Sequence, residues 1–261
     1  NYPDPDILVA HSDMSLLDHF KCNKKYLWSH SIQNLEKFIR KKQLLPYLRH
    51  RPKIILEGDY HYKNRSFLTS FFGKQIVKIA PDYDFINEKI NINEIPFKTC
   101  IFITKSDRNL NILLNEWVKI YSKNQDAKLK VNPPFSMCNK FSNLNIILRD
   151  KGSKSDLIKE LKKSRLMLIP GHKGEVFCLA AEEARELCVP IVTYGYGSLY
   201  ERVIHNKTGF IAKNSNEFVH FTNLLLNDDE LYLQFRKNLL SIKNSRNYSD
   251  VALDFIKIIS N

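Results

Sequence analysis

Two glutamates eight residues apart, Glu175 and Glu183, stand where this sequence could do chemistry. The apolar run Leu166–Ile169 reads as a strand that ends at Pro170-Gly171; a loop with Lys173-Gly174-Glu175 comes next, and then a helix opens. In open α/β folds, ligands bind at the carboxyl ends of parallel strands. A helix start also presents N–H groups without intrahelical acceptors, which attract phosphate. Here those amides are at Phe177, Cys178 and Leu179. Carboxylates accept hydrogen bonds from vicinal diols. Were the whole span helical, Glu175 and Glu183 would stand roughly 12 Å apart. Two carboxylates flanking a phosphate-binding amide cluster suit a ligand built of sugar, diphosphate and ribose. The next strand, at 190–193, runs into Tyr194-Gly195-Tyr196-Gly197-Ser198, a second glycine-bearing loop at the same edge. Taken by themselves, the two glutamates are better explained as surface carboxylates of one helix.

The elements that must position these groups are strands alternating with helices. Short apolar runs predict strands at 7–10, 25–28, 53–57, 75–79, 99–104, 128–131, 145–148, 165–169, 190–193 and 209–212. Helical periodicity predicts helices at 32–43, 110–121, 155–163, 178–187, 199–205, 216–226, 229–241 and 249–259. This alternation implies βαβ units and parallel sheets covered on both faces. The polar, Asn-rich stretch from Asp82 to Phe97 breaks the rhythm and reads as a hinge between two α/β domains. The part after it holds enough repeats for a full Rossmann-like domain, and the part before it about half as many. With Asn as first residue, the expectation is that the opening strands of the first domain are missing.

Composition bounds the rest. The 261 residues are 43% hydrophobic and 26% charged, enough for packed cores in a globular protein, and no apolar run is long enough to span a membrane. Five scattered cysteines without a CxxC pair point to a reduced, cytoplasmic protein with no disulfide frame and no zinc site. A net charge of +12 implies anionic partners. Nucleic acid is not expected among them, because no RNP-like aromatic cluster, finger spacing or basic run interleaved with aromatics is present.

The ordered stretch from Arg165 to Asn214 is similar to the donor-site region of retaining GT-B glycosyltransferases of the large family four (glycosyl transferases group 1). Glu175, Phe177, Leu179, Glu183, Ala184, Pro190, Ile191, Gly197, Glu201, Thr208, Gly209 and Phe210 occupy the matching positions of its E-x7-E pattern. The resemblance implies an α/β fold of GT-B type with two Rossmann-like domains, the N-terminal one short or truncated. Residues 1–90 would form the acceptor-side domain and 91–245 the donor domain, with a C-terminal helix at 246–261 that can pack back on the first. It implies that Glu175 binds the transferred sugar and Glu183 the ribose hydroxyls, with Gly174 and the amides of Phe177, Cys178 and Leu179 facing sugar and diphosphate. Cys178 and Cys188 stand where the family carries glycine. Arg108 falls where the family places a diphosphate-binding lysine, with Lys105 as its helper. Lys154, in Lys151-Gly152-Ser153-Lys154, falls in the loop that lines the nucleotide base. No cofactor and no metal is implied, since cationic side chains and a helix start take the metal's part.

In the first half, three histidines come after strand candidates or a turn: His11, His30 and His61. Related enzymes often carry a histidine near the transferred sugar, and His30 is the best candidate. The segment from Asn34 to Lys53 combines seven Lys/Arg and one Glu with apolar Leu35, Phe38, Ile39, Leu44, Leu45 and Leu48. It resembles the basic amphipathic face by which such enzymes sit on anionic membranes, and an ordinary half-buried helix with long cationic stems reads the same way. The expected activity is hexose transfer from a nucleotide sugar to an envelope glycan or glycolipid such as lipopolysaccharide. Other readings stay open: an inactive donor-binding fragment, a glycoside hydrolase, an epimerase or phosphorylase of the same fold, and a basic non-enzymatic module.

Overall fold

The structure, a computed structural model, describes residues 4–132, 141, 143–150, 152–243 and 245–260. It divides into two compact units. The first comprises Asn1–Ala80, Gly174–Phe177 and Tyr248–Asn261, and the second Pro81–Lys173 and Cys178–Asn247.

The first unit is built on a parallel sheet of four strands in the order β1 (Ile7–His11), β2 (Lys24–Trp28), β3 (Lys53–Leu56), β4 (Lys74–Ile76). Alternate residues serve two cores. Ala10, Leu27, Ile54 and Leu56 meet Met14, Leu17, Phe38 and Tyr47 on one face. Tyr26, Ile55 and Val77 meet Ile258 on the other. Burial on both faces is why these strands read as continuous apolar runs. The second face is closed by the last helix, α11 (Tyr248–Ser260). Tyr26 Oη donates to the Ile258 carbonyl at 3.0 Å, and Lys24 Nζ to that of Ile259 at 3.0 Å.

The helix expected at 32–43 is the shorter α1 (Leu35–Arg40), and a second helix that was not anticipated, α2 (Leu44–His50), comes after it. Asn34 caps the first by accepting from the Lys37 amide at 2.8 Å. Pro46 has no N–H for the Lys42 carbonyl, so one helix cannot run through, and Lys42 turns the chain at φ 55°. A further short helix, α3 (Asp59–Asn64), comes after β3 and was not anticipated.

The second unit has a parallel six-stranded sheet in the order β10-β9-β8-β5-β6-β7. Its strands are β5 (Thr99–Phe102), β6 (Lys128–Val131), β7 (Ile146–Leu148), β8 (Leu166–Gly171), β9 (Ile191–Tyr196) and β10 (Gly209–Ile211). The chain builds outward from β5 to β7, then returns to β8 on the other side of β5. The carboxyl ends of β5 and β8 therefore flank a topological switch point, where such sheets open a crevice. The order of helices after α4 (Tyr83–Ile86) is α5 (Leu110–Tyr121), α6 (Lys154–Lys162), α7 (Leu179–Glu186), α8 (Leu199–Arg202), α9 (Ser215–Asn227) and α10 (Asp229–Ser241). Trp117 of α5 is fully buried, and its indole N–H donates to the Leu144 carbonyl at 2.8 Å.

Two local readings change. Tyr194-Gly195-Tyr196 is the end of β9 and not a loop, because a bulge between Ile169 and Gly171 lets Gly171 pair with Tyr196. The stretch after Pro81 belongs to the second unit. Asp82 caps α4 by accepting from the Asp84 amide at 3.0 Å, Phe85 enters the second unit's core, and Lys243 Nζ donates to the carbonyls of Phe85 and Ile86.

Candidate functional site

At the switch point, the turn between β5 and α5 is tied to the end of β8. The Arg108 amide donates to the Lys105 carbonyl at 2.9 Å, closing the turn. Asn109 adopts φ 66° and its side-chain amide donates to the Gly171 carbonyl at 2.6 Å. Arg108, half-buried, brings Nη1 to 3.1 Å from His172 Nδ1, which accepts. Gly171 is required here: at φ 92°, an added Cβ would lie 2.8 Å from Leu199 Cδ1 and 3.0 Å from the Tyr196 carbonyl. Of the two cations expected for a diphosphate, Arg108 thus sits at the crevice and Lys105 is exposed on the turn before it.

The start of α7 carries the most informative backbone. Cys178 is its N-cap at φ 61° and ψ 71°, and the Ala181 amide donates to its carbonyl at 3.0 Å. Cys188, just past the end of the same helix, has φ 55°. Left-handed backbone is what glycine adopts freely, and it costs another residue about 1–2 kcal/mol. The two cysteines therefore keep the conformation that a glycine pattern specifies, with side chains added. Both thiols are buried, and burial pushes that of Cys188 up to about 11, so it stays protonated.

Glu175 and Glu183 do not share one helix. Glu175 and Gly174 lie in the loop, Phe177 is buried, and α7 begins only at Leu179, which is exposed. The roughly 12 Å helical separation therefore does not apply to them. Glu183, in the second turn of α7, is half-buried. Burial, and next the Asp82 carboxylate, push its acid up to about 7, with Lys154 opposing. Lys154 opens α6, where Ser153 and Asp156 form a capping box, and its Nζ lies 2.5 Å from Asp82 and 3.2 Å from Asp84. Glu183, Lys154 and Asp82 are thus one electrostatic group, and Asp82 was hidden in an apparent hinge. The D-x-D pattern after Pro81 was the available signal of a helix cap there. Lys151 lies outside the described residues.

Sequence reasoning also missed the contacts that hold α7. Glu182 takes Arg185 Nη1 at 2.5 Å and Arg202 Nη1 at 3.1 Å, while Glu186 takes Arg185 Nη2 at 2.9 Å. Both carboxylates are buried. The i,i+3 spacing of Glu182 and Arg185 was legible. The partner Arg202, far along the chain, was not.

The carboxyl edge of the first unit's sheet carries a different set of groups. His30 Nδ1 donates to Glu57 Oε1 at 2.5 Å, and His30 Nε2 lies 3.2 Å from His11 Nδ1. Glu57 is 3% exposed, and nothing in the sequence singled it out. The Glu57 bond holds the His30 imidazole above its ordinary 6.5, against the opposing effect of burial. His61 is fully buried, and burial depresses it to about 4. Its Nδ1 accepts from the Glu57 amide at 3.2 Å and its Nε2 donates to the Ser31 carbonyl at 2.9 Å. His61 is therefore a neutral brace between the loops that carry Glu57 and His30.

Among the described residues, no group of three or more His, Cys, Asp or Glu is placed to hold a metal ion. A cavity of about 730 Å³ is lined by Asp84, the ion-pair partner of Lys154, by Glu88 and Glu94, and by Lys159, Lys162 and Lys163. There Lys162 pairs with Glu88 at 2.6 Å, which accounts for it as an ion-paired surface.

Residues 142–240 match the family Glycosyl transferases group 1. No curated protein matches the chain. Among solved structures, TarM of S. aureus, crystallised with fondaparinux, alpha-GlcNAc-glycerol and UDP, superposes with a TM-score of 0.74 at 15% identity, over 94% of this chain and 53% of that one. Anabaena Alr3699/HepE in complex with UDP-glucose gives 0.74 at 14% identity, over 98% of this chain and 79% of that one. WaaG, a glycosyltransferase involved in lipopolysaccharide biosynthesis, gives 0.68 at 14% identity, over 95% and 80%. The chain has the α/β fold of GT-B glycosyltransferases, and it spans about half the length of TarM.

Proposed function

We propose that this protein transfers a hexose from a nucleotide-diphosphate sugar to an envelope glycan or glycolipid, with retention at the anomeric carbon. The observation that carries the reading is the switch-point crevice: Arg108 stands at the end of β8, and a helix capped in left-handed backbone opens beyond the next loop. That crevice falls in a chain whose residues 142–240 match a glycosyltransferase family. Structures of the same fold hold UDP or UDP-glucose.

In this reading Arg108, aided by Lys105 and the α7 N-terminus, neutralises charge on the departing diphosphate as the sugar–oxygen bond breaks and the acceptor oxygen bonds to the same carbon. A guanidinium can grip phosphate through two parallel N–H bonds. Glu175 binds the transferred sugar, together with Gly174 and the amides of Phe177, Cys178 and Leu179. Glu183 takes the ribose diol, with Lys154 toward the base. His30 acts on the acceptor side. Neither a metal nor a cofactor is required by this scheme.

The setting is cytoplasmic, peripheral on an anionic membrane. Supporting this, Ile39, Leu45, Phe67 and Phe71 of the first unit are 58%, 73%, 71% and 67% exposed, among Arg40, Lys41, Lys42 and Arg49. No helix among the described residues is long and apolar enough to cross a membrane.

The test is nucleotide release from UDP-, GDP- and ADP-hexoses with an envelope glycan present, and proton NMR of the product anomer. Release from one donor class, with the donor's anomer kept and Glu175→Ala at least a hundredfold slower, supports the reading. An inverted product or no release by folded protein would sink it.

A further inference from the structure

We propose that Glu57, His30 and His11 form a proton relay, with Glu57 as its positioning residue and His11 as the end presented to a hydroxyl-bearing acceptor. As a part of glycosyl transfer this rests on the reading above, whereas the relay itself does not.

The hydrogen bonds fix the direction. A carboxylate only accepts, so His30 Nδ1 carries the proton shared with Glu57 at 2.5 Å. His30 Nε2 then holds a lone pair when the ring is neutral, and at 3.2 Å it accepts from His11 Nδ1. That leaves the lone pair of His11 on Nε2, on an exposed side chain. A hydroxyl meeting it gives its proton to His11 Nε2 and keeps the bonding pair on oxygen. The proton on His11 Nδ1 passes to His30 Nε2. The end state is an alkoxide, a neutral His11 with its proton moved to the other nitrogen, and an imidazolium at His30 beside the Glu57 carboxylate. One proton has moved and no other reactant is consumed.

The surroundings favour that end state. Glu57 is buried at 3% exposure, so its charge is little screened by water and acts on His30 at close range. The Glu57 backbone is held where it leaves β3, because its amide donates to His61 Nδ1 at 3.2 Å. His61, depressed to about 4, adds no competing charge near neutrality. The other charges that bear on this corner are the cations Lys37 and Arg65, both of which act on His61. The rings of His11, Trp28 and His30 lie with centroids 5.2 to 5.7 Å apart, which fixes the imidazole planes. The group also stands at the carboxyl ends of three adjacent parallel strands, the edge at which open sheets bind ligands.

The test is NMR of the imidazole ring nitrogens in the whole protein across neutral pH. The relay predicts one coupled event: as His30 gains its second proton, His11 changes tautomer from Nδ1–H to Nε2–H at the same midpoint, which lies above 6.5. Glu57→Gln lowers that midpoint by about one unit or more. His11→Asn, a change at an exposed site, leaves His30 Nδ1 protonated and abolishes the coupled change. A His11 tautomer that stays constant through the His30 midpoint in the wild-type protein overturns the relay, whether or not any variant folds. Because no nucleotide is added, this outcome is separate from failure of the transferase reading.

Discussion

The two sheets present the same edge and use it differently. In the second unit, the carboxyl ends of β5 and β8 carry a guanidinium, an imidazole and a helix start, all suited to holding an anion in place. In the first unit, the carboxyl ends of β1, β2 and β3 carry two imidazoles and a buried carboxylate in hydrogen-bonded series, suited to moving a proton. Parallel strands expose carbonyl ends at this edge in both cases, so the architecture alone selects neither chemistry. The difference comes from the residues just past each strand. A glycine at φ 92° closes the end of β8 tightly enough for Asn109 to reach its carbonyl. Past β3 the chain continues into Glu57-Gly58 and α3, whose buried His61 holds the Glu57 backbone amide.

Four changes would break or sharpen that contrast. The largest effect is expected from Arg185→Ala, which takes from the buried carboxylates of Glu182 and Glu186 the partner they share and leaves Arg202 with the first and Lys243 with the second. It should destabilise the second unit by about 3–5 kcal/mol, read by denaturant unfolding, while the first unit's histidine signals persist. Next, Arg108→Ala should weaken nucleoside diphosphate binding about tenfold to a hundredfold, the loss of a charge-assisted contact. Glu57→Gln should leave that affinity unchanged, since it acts at the other edge.

The third change concerns pH. Glu183 is held near 7, above its ordinary 4.5, so the protonated form is the one that folding favours. Its contribution to stability is complete below 4.5 and is lost as pH rises through about 7. A ribose diol needs the carboxylate as acceptor, so nucleotide affinity should fall by up to about tenfold per pH unit below that value. Glu183→Gln should flatten the dependence in calorimetric titrations at several pH values. The smallest effect is expected at the exposed apolar and basic patch of the first unit. Leu45→Glu with Phe71→Glu should reduce flotation with phosphatidylglycerol vesicles several-fold and leave nucleotide binding intact, and wild-type flotation should weaken with added salt.

Much of the second unit was legible because its signals are local. The strands alternate with helices at regular spacing, and the stretch from Arg165 to Asn214 holds its glycines, glutamates and Pro190 in order. Even the two cysteines pointed correctly, since the structure gives positive φ at both Cys178 and Cys188. The parts that escaped depend on partners far apart in the chain. Glu57 meets His30 across 27 residues, and Arg202 reaches Glu182 across twenty. No period or spacing announces such a pair. The split of the basic segment into α1 and α2 was legible in principle through Pro46, whose missing N–H forbids one helix there. Asp82 escaped because a short cap and a four-residue helix look like linker when the residues around them are polar.

The central claim is that the second unit's sheet edge binds a nucleoside diphosphate. Isothermal titration of UDP, GDP and ADP, each with and without its hexose, into the wild-type protein and Glu183→Ala tests it most directly. The account predicts saturable binding of one diphosphate, weakened at least several-fold by the substitution. Absence of binding by all three to a folded protein would contradict it.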